Sequence, residues 1–141
     1  PDGRLRLEAY RRLGEAADQQ AVDEVVAELA DRYGRAPEQV EALIAGARLR
    51  IRLAGIGVTE AVQAGSRIRI VGLSLPESLQ LRIARLYPGA SIKPASQTVL
   101  LPAPKTARVG GKPLVGMELM TWLDGFVDTV TGLQVARKED A

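Results

Sequence analysis

The sequence predicts an α+β domain in which N-terminal helices are followed by a small antiparallel sheet with interleaved helices. Three observations carry this reading. Apolar residues recur at helical spacing as far as Ala54, the period shortens to two between Ile56 and Leu73, and proline or glycine closes each later segment.

The first helix is expected over residues 4–17, with Leu5, Ala9, Leu13 and Ala16 near helical spacing, charged residues around them, and Gly14 as a weak point. Asp18 then suits an N-cap. In the second helix Val22, Val25, Val26, Leu29, Ala30 and Tyr33 share one face. Gly34 ends it in a left-handed position, and Pro37, which needs no amide partner, belongs in the first turn of the third helix. That helix has Val40, Leu43, Ile44, Ala47, Ile51 and Ala54 on its apolar face, carries Arg48, Arg50 and Arg52 on other sides, and ends near Gly55 or Gly57.

Ile56, Val58 and Val62 with Ile68, Ile70 and Leu73 then alternate around an Ala64-Gly65-Ser66 turn, the pattern of a β-hairpin. Ser74 and Glu77 have capping-box spacing, with Pro76 between them, and open a helix bearing Leu75, Leu79, Ile83 and Leu86. Pro88-Gly89 closes it. Ala90 to Lys93 and Thr98 to Leu101 give two short extended runs around Pro94-Ala95-Ser96. Ala103 to Gly116 is a long loop, either mobile or laid over the surface. A final helix is expected from about Met117 to Val130, with Leu119, Leu123, Phe126, Val127 and Val130 on one face and Gly132 as its stop. Residues 1–136 are read as one domain and the charged residues 137–141 as a frayed tail.

At 141 residues and 46% hydrophobic, the chain has enough apolar material for a sizeable core. It opens on Pro1 with no methionine, as expected of a domain cut from a longer protein. No apolar run approaches a membrane span and cysteine is absent, so a cytoplasmic location is the expectation. The net charge of +2 is nearly balanced. A pI near 9.3 therefore says little about a nucleic-acid partner in a chain without histidine.

The absence of His and Cys removes the commonest general base, the thiolate nucleophile and the usual zinc ligands. Gly110-Gly111-Lys112 fails as a phosphate loop, because Thr106 stands where the first glycine is required and Pro113 where a magnesium-binding hydroxyl belongs. The chain is read as non-enzymatic, without cofactor or metal. The polar side of the second helix stands out instead: Glu24, Glu28, Asp31 and Arg32 lie at i, i+4, i+7 and i+8. One reading is a solvated face on which Glu28 supports Arg32. The other is a charged docking surface for another domain. An alternative of a different class is a nucleic-acid patch built on Arg48, Arg52 and Arg67. Aromatic residues at 4% leave little for base stacking. Trp122 reads as a core or core-edge residue.

Leu29-x-Asp31-Arg32-Tyr33-Gly34-x-x-Pro37, followed by Leu43, Ala47-Arg48-Leu49-Arg50, Ala54 and Gly55-Ile56, resembles the C-terminal domain of the bacterial transcription-repair coupling factors (Mfd). Arg4-Leu5-Arg6-Leu7-x-x-Tyr10-x-Arg12-Leu13 upstream, and Trp122 with Phe126 near the end, extend the match. From residue 58 to 116 the likeness lies in element order. The resemblance implies a regulatory domain of an ATP-driven DNA translocase that displaces stalled RNA polymerase on double-stranded DNA and recruits UvrA. Such a domain packs on a UvrB-like N-terminal module of the same protein, covers the UvrA-binding surface and restrains the motor. The docking charges of that family fall on an E-x-x-D-R segment, which carries over to Glu28, Asp31 and Arg32.

Overall fold

The computed structural model describes residues 2–107 and 109–132; the charged tail expected over 137–141 lies outside them. The chain divides into two compact units, Pro1–Arg52 and Leu53–Ala141. Helices α1 (Asp2–Glu15), α2 (Gln19–Tyr33) and α3 (Glu38–Gly55) come first. Strands β1 (Glu60–Ala64) and β2 (Arg67–Val71), helix α4 (Glu77–Leu86), strands β3 (Ser91–Lys93) and β4 (Thr98–Pro102) and helix α5 (Gly116–Thr131) follow. This is the α+β order that the sequence predicts.

In the first unit, Ala9, Leu13 and Ala16 pack with Val22, Val25 and Leu29 of α2 and with Val40 and Ala47 of α3. Asp18 caps α2 as expected, its Oδ1 accepting from the Ala21 amide at 2.8 Å. Gly34 ends α2 with φ 72° and ψ −142°, a positive φ outside the left-handed helical region, and its amide donates to the Ala30 carbonyl. Pro37 stands one step before α3, where its carbonyl accepts from the Val40 and Glu41 amides. It closes the turn instead of occupying the first turn of the helix. The α3 face differs from expectation: Leu43 and Ala54 are exposed, whereas Leu49 and Leu53 are buried. This helix is apolar on more than one side, so period alone does not select the buried set. Ala30 of α2 is exposed as well.

Two arginines of α3 act inside this unit. Arg50 donates from Nη2 to the Leu13 and Ala16 carbonyls, at 3.0 and 2.9 Å, at the end of α1, where the Leu13 carbonyl otherwise accepts a long bond from the Ala16 amide at 3.4 Å. Arg48 reaches Asp23 at 2.7 Å and exchanges hydrogen bonds with Gln19, joining α3 to α2.

The second unit is a four-stranded antiparallel sheet of order β1-β2-β4-β3 carrying α4 and α5. Register places Ile68 opposite Leu101 and Ile70 opposite Val99, and these four pack with Leu73, Ile83 of α4 and Phe126 of α5. Alternation holds in β2, where Arg67 and Arg69 face outward. It fails in β1, whose residues are all exposed; Val62, opposite Arg69, is not a core residue. Strand β1 lies at the edge of the sheet, and neither core cluster includes a residue of it. Ile56 and Val58 join the core from the connection before the strand.

The capping box is not formed. Pro76 holds the N-cap of α4 without a side-chain cap, and Leu86 is exposed. With Pro76 as N-cap, Ser74 falls two residues short of capping reach. The loop from Ala103 to Gly116 is zipped at its base: the Leu114 amide donates to the Pro104 carbonyl, the Thr106 amide to the Lys112 carbonyl, and Lys105 bridges Pro113. The last helix ends at Gly132, whose φ of 82° is left-handed. Trp122 and Phe126 both meet the Tyr87 ring edge-on, with centroids 5.4 Å apart in each pair. The Tyr87 hydroxyl pKa is raised, first by burial, against a hydrogen bond with Thr129 that lowers it.

Candidate functional site: a charged face on the second helix

Burial of Val22, Val25 and Leu29 turns the opposite side of α2 to solvent, and Glu24, Glu28, Asp31 and Arg32 are all exposed there. One helix thus presents the four together. Glu28 does not take Arg32 as its hydrogen-bonded partner. Its Oε2 accepts from Arg12 Nη1 of α1 at 2.5 Å, while Arg32 contributes a weaker charge attraction. That contact, first among the causes, holds the Glu28 carboxyl below the usual glutamate range and raises the Arg12 guanidinium. Nothing among the described residues hydrogen-bonds Oε1 of Glu28. The arginine therefore steadies the carboxylate and leaves half of its acceptor capacity open. Asp31 and Arg32, in the last turn of α2, form no ion pair among the described residues.

Arg12 is the residue that sequence reasoning missed. Its signal was the apolar spacing of α1 itself: burial of Ala9, Leu13 and Ala16 against α2 leaves Arg12 at the margin of the seam, within reach of a neighbouring helix. The arginines of the alternative patch are placed differently. Arg48 is engaged by Asp23 and Gln19, Arg52 is in the first unit, and Arg67 is exposed on β2 of the second. No helix among the described residues is long and apolar enough to cross a membrane.

An exposed acidic and arginine-bearing helix face on an α+β scaffold defines a candidate protein-docking domain. The family model described as "TRCF domain" matches residues 1–78, and the chain belongs to that family. It is 39% identical over 130 residues to the transcription-repair-coupling factors of Mycobacterium bovis and Mycobacterium tuberculosis. That match covers 92% of this chain and 10% of each relative, so the chain spans about a tenth of their length. Its fold is that of a crystal structure of the C-terminal domain of transcription-repair coupling factor, with a TM-score of 0.63 at 14% identity over 98% of this chain and 84% of that one.

Proposed function

We propose that this chain is a non-catalytic, autoinhibitory domain of a transcription-repair coupling factor acting in the cytoplasm, with no cofactor of its own. It docks through Glu24, Glu28, Asp31 and Arg32 onto the UvrB-like N-terminal module of the same protein. Docked, it masks the UvrA-binding surface and restrains the ATP-driven DNA translocase; a stalled RNA polymerase releases it. The observation that carries this reading is the exposed α2 face, where Asp31 and Arg32 lack ion-pair partners among the described residues and Glu28 is steadied by Arg12. A latch that must open is suited by charged, hydrated contacts of modest net strength.

In the parent protein, Asp31→Arg should increase UvrA binding and raise ATP hydrolysis in the absence of polymerase. A folded variant with both unchanged would remove the α2 face from the mechanism. The nucleic-acid reading is less well supported, because Arg48 already serves Asp23.

A further inference from the structure

The first unit carries a pocket of about 80 Å³ at the end of α2 that bears Asp31 and Arg32. Buried Leu29 and Val40, with partly buried Ala36, supply its apolar lining. Exposed Arg6 and Arg35 also line it. The Arg6 guanidinium lies 4.8 Å from the centroid of the Tyr33 ring, which holds the cation beside the opening. Arg6 and Arg35 form no ion pair among the described residues.

Size and charge together select an occupant. A dry cavity of about 150 Å³ takes a benzene ring, so a pocket near half that volume suits a branched aliphatic side chain better than an aromatic one. Two guanidiniums that form no ion pair among the described residues call for carboxylates next to that side chain. A long polyanion is disfavoured, because phosphates running on past the two arginines would meet Glu24, Glu28 and Asp31 exposed along the same helix, whereas two carboxylates flanking one side chain need reach no farther than Arg6 and Arg35. Base stacking is also poorly served, since Arg6 covers one face of Tyr33.

We infer that this pocket is a socket for an aliphatic side chain flanked by acidic residues on the docking partner, seated between Arg6 and Arg35. The inference rests on the proposed docking and adds an apolar anchor to it. Charges on α2 set register, and the socket slows release.

The test titrates the ¹⁵N-labelled chain with an acetylated Glu-Leu-Glu peptide, beside Glu-Ala-Glu, Lys-Leu-Lys and duplex DNA. Amide shifts should concentrate at residues 6, 33–36 and 40 and should be weaker by about tenfold for the alanine peptide. Arg35→Glu, at a side chain that makes no hydrogen bond or ion pair among the described residues, should abolish them, as should Arg6→Glu. No shifts, equal shifts with Lys-Leu-Lys, or tighter binding of DNA at the same amides would overturn the socket. Binding to the N-terminal module separates this claim from the docking itself. If Asp31→Arg abolishes module binding while Arg6→Glu/Arg35→Glu leaves it intact, docking stands and the socket falls. If peptide shifts persist but the wild-type chain does not bind the module, the socket stands and the docking reading falls.

Discussion

At the scale of single residues, two of the charges on α2 are already engaged, Asp23 by Arg48 and Glu28 by Arg12, while Glu24, Asp31 and Arg32 form no ion pair among the described residues. Glu28 is tied to α1 by Arg12, and the sign of its pKa shift gives a pH dependence. With its pKa lowered in the folded chain, the folded state binds fewer protons than the unfolded one just below the usual glutamate pKa. The contact's contribution is therefore full above about pH 4.3 and is lost as pH falls through the lower folded value. Glu28→Gln should lower the thermal midpoint slightly at pH 7 and not at all near pH 2; an equal difference at both values would show that the ion pair is not the cause. Leu29, by contrast, is buried among Val25, Val40 and Ala47. Leu29→Ala should cost about 2–4 kcal/mol in chemical denaturation, toward the lower end because the side chain already borders an open pocket. The burial of Leu29 and the exposure of Asp31 were legible in the sequence because a helix period sorts them to opposite sides. The Arg12 contact was not, because it depends on how α1 and α2 meet.

At the scale of elements, helix ends and strand edges decide what periodicity does not. Arg50 reads in sequence as one of several surface arginines, yet it covers two carbonyls at the end of α1. Arg50→Ala should cost about 1 kcal/mol, the modest figure suiting bonds made by a solvent-accessible residue, and should loosen amide-exchange protection at the end of α1. Unchanged protection there would show that water replaces the guanidinium without loss. Gly72 follows β2 at φ 112°, and a Cβ there would lie 2.2 Å from the Gly57 carbonyl oxygen and 2.9 Å from the Thr59 amide nitrogen. Neither backbone atom can swing aside. Gly72→Ala should destabilise by at least about 1–3 kcal/mol from the backbone conformation alone, measured by urea denaturation; a neutral result would mean that the crossing is not tightly packed. The hairpins were legible through β2 and β4, which alternate against a core. Strand β1 was not, because an edge strand exposed on both sides carries no inside-outside pattern. Nor could spacing alone distinguish a capping box from the proline N-cap that α4 uses.

For the molecule as a whole, the exposed face of α2 with Glu24, Glu28, Asp31 and Arg32 belongs to the helical first unit, and the sheet to the second. The family model matches residues 1–78, and the identity to the mycobacterial relatives extends over 130 residues. The structural neighbour shares the fold over nearly the whole chain at 14% identity, as expected where element order outlasts residue identity. Fold class was thus legible from the change of period in mid-chain. The exposed face of α2 was legible as a list of residues at helical spacing, but the Arg12 contact from α1 and the neighbouring pocket required the packed helices.

The most direct measurement of the clamp is binding of this chain to the UvrB-like N-terminal module of its parent protein across a salt series, with Asp31→Arg alongside and duplex DNA as competitor. An autoinhibitory clamp held by exposed charges should bind less tightly as salt rises, because those charges are screened, and should lose at least about tenfold in a folded Asp31→Arg variant. Module binding of equal strength in wild type and Asp31→Arg, or no module binding together with steeply salt-dependent DNA binding, would contradict it.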